Sequence, residues 1–312
     1  MRPNFAVRPI LGMGSLGVSD GVRGVTAPGP LLAVDAPSLL YRAFFALPKS
    51  ITDDQGNPVN ALLGTVNLIL WAIEKHAPRV VVLCFGAEAA VYRKELYPPY
   101  HAERPEMPEE LATQWADAHD FFGAFGWIVE SHDTLEADDL LGSLATAETE
   151  AGGKALLYTG DRDMFQCVSD DVAVLFPRGA KDGPELIGPA EVRKRYGVDP
   201  EQVPDFIALR GDPSDGLPGA KGIGEKTAKD LLREHGTLEA TIAASLRLRP
   251  RIGAALREGA EELRAFREIA TLVHVPLDRP PDRPTDWLSA AAAARGRGMR
   301  RLAERLEKLA GT

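Results

Sequence analysis

Short apolar runs recur down the first half of the chain, at 31–36, 79–85, 127–130 and 154–160, and amphipathic stretches separate them. Runs as brief as "LLAVDA" and "RVVVLCF" are too short for buried helices and predict strands. "SLLYRAFFAL" (38–47) predicts a helix with Ser38 as N-cap, and 59–76, 107–124 and 135–150 predict three more. Strands alternating with helices demand right-handed crossovers and a mainly parallel sheet, so the expected class is α/β. The sheet unit spans 31–187. Beyond it the strand pattern stops, and "GPAEVRKRYG", "PDFIALRG" and "GEKTAKDLLREHG" predict short helices, a helical subdomain over 188–290. Residues 291–312 predict one terminal helix. The Pro- and Tyr-rich segment 86–106 predicts an exposed excursion.

Hydrophobic content of 45% and charged content of 26% match a soluble globular chain long enough to bury a core. No apolar window reaches the roughly 18 residues of a membrane span. Cys84 and Cys167 form neither a disulfide framework nor a zinc set, as expected of reduced thiols in a cytoplasmic protein. Residues 1–30 carry scattered arginines and glycines without a compact apolar segment, and predict a loosely ordered extension rather than a signal peptide.

Acids gather where such a sheet would bind ligands. Asp35 ends the first run; Asp161 and Asp163 follow the last in "YTGDRDMF". Carboxyl ends of parallel strands share one rim. "TLEADDLLGSLA" (134–145) brings Glu136, Asp138 and Asp139 to a helix start on that rim, and "RGDPSDGLPG" (210–219) adds Asp212 and Asp215. A structural reading exists for part of this: Asp133 and Glu136 have the spacing of a capping box. The recurrence argues for more. Eight carboxylates in one pocket would repel one another unless divalent cations intervened. Oxygen-only ligation suits Mg²⁺ or Mn²⁺. With these acids set aside, the net charge of −9 becomes about −1, so a basic face remains compatible with the composition. Paired divalent ions hydrolyse phosphodiesters, which points to a metal-dependent nuclease or phosphatase, against a metal-stabilised binding module.

"LPGAKGIGEKTAKDLL" (217–232) favours a nucleic-acid phosphate. Gly222 and Gly224 permit close backbone approach, a helix starts near Glu225, and Lys221, Lys226 and Lys229 add charge. A plain helix–turn–helix connector is the competing reading. A grip of this kind is blind to base sequence.

At these residues the chain resembles the 5′-nuclease superfamily: bacterial 5′→3′ exonucleases, the nuclease domain of DNA polymerase I, and flap endonucleases. The strings are "VDAPSLLYRAFFALP", "LEADDLLGSLA", "TGDRDMFQ" and "ALRGDPSDGLPGAKGIGEKTA", in matching order over roughly 31–280. The chain stops where a polymerase I would continue, so the stand-alone form is expected. The resemblance implies a PIN-like fold with a helix–three-turn–helix DNA-binding element at 203–235. It implies two Mg²⁺ or Mn²⁺ ions, Asp35, Glu136, Asp138 and Asp139 serving the first and Asp161, Asp163, Asp212 and Asp215 the second. It implies K⁺ at the glycine hairpin, with Thr227 among the DNA-binding residues, and an arch over 86–106. Tyr41 and Arg42 fall near the scissile phosphate, Arg93 matches a basic family position, and Arg104 remains as a further DNA-binding cation of the arch.

Two positions depart from the family pattern. Gly86 stands where an acid usually follows the second strand, and His101 where the arch usually carries lysine. Restoring the acid by Gly86→Asp is expected to tighten metal binding or raise the rate. The catalytic set expected from the resemblance is Asp35, Arg93, His101, Asp138 and Asp139. The implied activity is structure-specific cleavage of DNA at a 5′ flap or 5′ end, by a monomer, in repair or replication. The alternative is a catalytically weakened junction-binding protein of the same fold.

Overall fold

The computed structural model describes residues 29–178 and 183–311; nearly all of the expected N-terminal extension lies outside them. One sheet organises the chain: β1 (Leu31–Asp35), β2 (Val80–Phe85), β3 (Ile128–Ser131), β4 (Ala155–Tyr158), β5 (Val172–Phe176) and β6 (Glu185–Ile187), in the order β3-β2-β1-β4-β5-β6. All neighbours pair in parallel except β6, which runs antiparallel to β5. Sequence reading named four strands; β5 and β6 complete the edge. β1 and β2 are buried along their whole length, which is why they read as unbroken apolar runs. Strand order reverses around β1, with β2 on one side and β4 on the other. This switch point opens a crevice at the carboxyl ends of β1 and β4.

Helices cover both faces. They are α1 (Ala36–Ala46), α2 (Asn60–His76), α3 (Val91–Leu96), α4 (Glu109–Gly123), α5 (Ala137–Glu150), α6 (Pro189–Tyr196), α7 (Val203–Arg210), α8 (Glu225–His235), α9 (Leu238–Ala243), α10 (Pro250–Glu258), α11 (Ala260–Ala270), α12 (Trp287–Gly296) and α13 (Arg300–Ala310). The cap of α1 is Asp35, not Ser38: the Ser38 amide donates to Asp35 Oδ1 at 2.9 Å. Val59, at the N-cap of α2, offers no capping side chain. Gln114 of α4 serves instead, accepting from the Ala61 and Leu62 amides at 2.8 and 3.3 Å. Asn60 donates to the Phe44 and Leu47 carbonyls, so one buried amide pair joins α1, α2 and α4.

One apolar cluster unites the sheet face under α5 with Val203, Phe206, Leu231, Leu256 and Phe266 of the helical region, without a break near residue 188. The opposite face is covered by α1, α2, α4, α12 and α13. The chain's end is therefore two helices rather than one, broken at 297–299 and packed back on the sheet. An ionic knot centred on the buried Arg79–Glu148 pair ties down the segment that leads to it. Arg79 pairs with Glu148 and with Asp282, and Arg279 donates twice to Glu148 at 3.0 Å. Among the described residues no helix is long and apolar enough to cross a membrane.

Candidate active site

The crevice is a cavity of about 1040 Å³, and seven of the eight predicted acids line it: Asp35, Glu136, Asp138, Asp161, Asp163, Asp212 and Asp215. Each arrives from an element end. Asp35 closes β1, accepting from the Ser38 amide and, at 2.6 Å, from the Thr159 hydroxyl. Past β4 the chain turns on Asp161, whose Oδ1 accepts the Asp163 amide at 2.8 Å. Asp138 stands in the first turn of α5. The loop after α7 folds back through paired Asp212–Leu217 backbone bonds, each 2.8 Å. Gly211 has φ 82°, and a Cβ added there would lie 2.6 Å from the Leu217 carbonyl oxygen, so this tight loop excludes a side chain.

The electrostatics are those of crowded anions. Burial first, then Asp161, Asp35 and Glu136, hold the Asp138 carboxyl well above the ordinary range. Burial and the charges of Asp161, Asp215 and Asp212 do the same to Asp163. Asp161 is pushed up to about 7, again chiefly by burial. Burial also raises Asp35, against the hydrogen bonds from Thr159 and Ser38. The Asp138 and Asp163 carboxylates accept no hydrogen bond from the described residues, whereas that of Asp212 is engaged by Ser214 and Arg210. Yet no three His, Cys, Asp or Glu side chains among the described residues close on a single point. The acids ring the cavity without closing on one metal-sized point. Their chemistry nevertheless fits hard divalent cations: oxygen donors only, mutually repelling, two of them without a protein partner.

Asp139 departs from its expected place. It is fully buried and does not line the cavity. It accepts from both Arg93 terminal nitrogens, at 2.9 and 3.1 Å, from the Val273 amide at 3.0 Å and from the Glu136 amide at 3.2 Å. With Glu136 it forms the capping box of α5, so the expected cap Asp133 lies outside the helix. Glu136 accepts the Ala90 amide and the Tyr100 hydroxyl and pairs with Arg93 at 3.0 Å. Arg93 also donates to the Ile269 carbonyl, which fastens α3 to the ends of α5 and α11.

The excursion 86–106 is thus only partly exposed; Ala89, Ala90, Arg93 and Tyr100 are buried. Its tip is fixed as well. His101, at φ 56°, stacks on Tyr100, with Nε2 3.0 Å from Asp215 and Nδ1 3.1 Å from the Glu88 carbonyl. Both ring nitrogens face acceptors, and the ring does not line the cavity. Arg104 lines it but donates to the Glu88 carbonyl. Gly86 borders the cavity, where an added Cβ would lie 2.4 Å from the Ala137 nitrogen and 2.6 Å from the Leu135 carbonyl oxygen. The expected benefit of an aspartate there has no space to occur.

Tyr41 lines the cavity mouth beside Trp115; Arg42 does not, and donates to the Arg178 carbonyl at 2.6 Å. At the hairpin, Gly222 has φ 80° and Gly224 caps α8, with Lys221 and Lys226 exposed and Thr227 in the first turn. Lys229 is turned away, held by Glu225 at 2.5 Å and the Arg195 carbonyl at 3.0 Å. Sequence reasoning missed Arg162 and Arg210, which line the cavity, and Arg251, which packs beside Gly222. The string "GDRD" carried the signal for Arg162.

Residues 30–197 match the family described as 5′-3′ exonuclease, N-terminal resolvase-like domain, and residues 198–285 match 5′-3′ exonuclease, C-terminal SAM fold. The chain belongs to the 5′-3′ exonuclease family. Relatives of this 5′-3′ exonuclease family member include DNA polymerase I of Mycobacterium tuberculosis, 39% identical over 254 residues, covering 81% of this chain and 28% of that one. Thermostable DNA polymerase I of Thermus thermophilus is 38% identical over 287 residues, covering 89% and 32%. The chain thus spans about a third or less of these relatives. The same fold occurs in the T5 D15 protein co-crystallised with metal ions, at TM-score 0.65, 17% identity, and 90% and 99% coverage. It occurs too in the catalytic core of Rad2 in complex with DNA substrate, at TM-score 0.60, 14% identity, and 90% and 92% coverage.

Proposed function

We propose that this chain is a divalent-metal-dependent, structure-specific 5′-nuclease that hydrolyses DNA phosphodiesters near single-strand/duplex junctions. The observation that carries the reading is the convergence of seven acids from four separate segments on one cavity at the switch point of the sheet. Membership of the 5′-3′ exonuclease family and the metal- and DNA-containing structures of its fold relatives support it. Asp35, Glu136 and Asp138 would hold one cation; Asp161, Asp163, Asp212 and Asp215 would hold a second, Mg²⁺ or Mn²⁺. Such ions would neutralise the acids and act as Lewis acids toward a phosphate.

The protein's own groups do the rest. Thr159 and Ser38 fix the Asp35 carboxylate, and the Arg93 clamp sets the arch over the cavity. Tyr41 and Trp115 offer aromatic surface at the mouth, suited to an unpaired base. The hairpin at 222–224, with Lys221 and Lys226, would hold a duplex phosphate, with K⁺ as a candidate companion. The protein acts as a cytoplasmic monomer in this reading. Incubation of a 5′-labelled flap with Mg²⁺, Mn²⁺ or EDTA tests it: short 5′ products in either ion and none in EDTA are expected. Binding without cleavage in both ions would instead establish a junction-binding protein.

A further inference from the structure

Four arginines line the acidic cavity: Arg93, Arg104, Arg162 and Arg210. Three are committed to the protein. Arg93 holds Asp139, Glu136 and the Ile269 carbonyl; Arg104 holds the Glu88 carbonyl; Arg210 holds Asp212 and the Gly211 carbonyl. Among the described residues, Arg162 donates to no acceptor. Its guanidinium lies over the Phe176 ring at 5.9 Å, a position it shares with Arg195, and the residue is exposed.

The backbone around Arg162 is fixed. Asp161 and Asp163 flank it in a turn closed by the Asp163 amide, and its carbonyl accepts the Phe165 amide at 3.1 Å. The side chain therefore starts from a rigid point between two candidate metal ligands. Its charge also reaches the hairpin. The Glu225 carboxyl at the start of α8 is lowered first by Lys229, and then by Arg210 and Arg162. Arg162 thus lines the cavity and lies within electrostatic reach of Glu225 at the start of α8.

An unpaired guanidinium beside a field of carboxylates would ordinarily fold onto one of them. Arg162 rests on an aromatic face instead, where its donors stay available. We infer that Arg162 is a substrate-positioning residue that binds a backbone phosphate of the DNA strand running from the hairpin into the cavity. This inference rests on the nuclease reading and adds to it a cation that lines the cavity, which His101 does not.

The test is equilibrium binding of a fluorescein-labelled 5′-flap duplex in Ca²⁺ over a range of KCl, with single-turnover cleavage in Mg²⁺. Arg162→Ala is expected to weaken binding about tenfold and to lower the slope of log affinity against log salt by about one. Arg162→Lys keeps the slope. Arg301→Ala, exposed on α13 across the sheet, is the control and leaves both unchanged. Mn²⁺ affinity measured without DNA is held or tightened in Arg162→Ala, since a positive charge beside the acids is removed, whereas disruption of the acids would weaken it. A wild type that binds and cuts the flap beside an Arg162→Ala variant of unchanged affinity and slope overturns the inference alone. A wild type that neither binds nor cuts overturns the nuclease reading and the inference together.

Discussion

Arg93 grips Asp139 through both terminal nitrogens of its guanidinium, at 2.9 and 3.1 Å, with both side chains buried. This pair divides two adjacent acids that look alike in sequence. Asp139 is enclosed by donors, and the Asp138 carboxylate faces the cavity with none among the described residues. Asp139→Asn is expected to lower unfolding free energy by about 3 kcal/mol, because it leaves Arg93 charged and incompletely paired. Asp138→Asn relieves repulsion and is expected to hold or raise stability while cleavage falls by about 10²-fold or more. Urea denaturation in EDTA, alongside flap cleavage, checks both; equal destabilisation by the two variants would contradict the division.

The backbone around Gly86 leaves no room for a side chain. Gly86→Asp is expected to destabilise the protein by about 1–3 kcal/mol, through displacement of the β2–α5 junction. It adds no metal affinity. Thermal denaturation together with a Mn²⁺ titration checks this, and a variant that is both stable and tighter for Mn²⁺ would show that the junction yields.

Asp161 has a folded-state pKa of about 7, against an ordinary 3.8. Because the folded value is the higher, its contribution to stability is fully present below the unfolded value and is lost as pH rises through about 7. In EDTA, Asp161→Asn is therefore expected to melt above the wild type by a margin that widens from about pH 5 to about pH 8. Added Mg²⁺ raises the wild-type melting temperature most at the upper end, since cations bind the deprotonated acids. Differential scanning calorimetry reads both trends, and a margin independent of pH would contradict the assignment.

Much of this site was legible in the sequence because strand ends and acids coincide in it. Asp35, Asp161 and Asp163 follow apolar runs, and parallel topology alone brings those ends together. The exceptions have physical causes. Asp133-x-x-Glu136 and Glu136-x-x-Asp139 share one spacing, and tertiary contacts from Ala90 and Arg93 decide which becomes the cap. Asp139 cannot be told from Asp138 until the arch is in place. Lys229 reads as a phosphate ligand until Glu225, one turn away, claims it. The excursion looks exposed because Pro and Tyr suggest a loop, whereas Tyr100 and Arg93 are buried against acids distant in sequence.

Lys221 and Lys226 are the exposed lysines of the hairpin, whereas Lys229 is half-buried and paired with Glu225. Lys221→Ala and Lys226→Ala are each expected to weaken flap binding about severalfold and to reduce its salt slope by about one. Lys229→Ala leaves the slope unchanged. Fluorescence anisotropy at several KCl concentrations separates them.

On the nuclease reading, acids from separate segments act together to hold the ions that cut DNA. Cleavage of a 5′-labelled flap by the wild type and by an Asp138→Asn, Asp163→Asn double variant, each in Mg²⁺ and in EDTA, tests this directly. The wild type should cut in Mg²⁺ and be silent in EDTA, and the folded double variant should be silent in both. Cleavage that survives EDTA or the double substitution would place the chemistry elsewhere in the molecule.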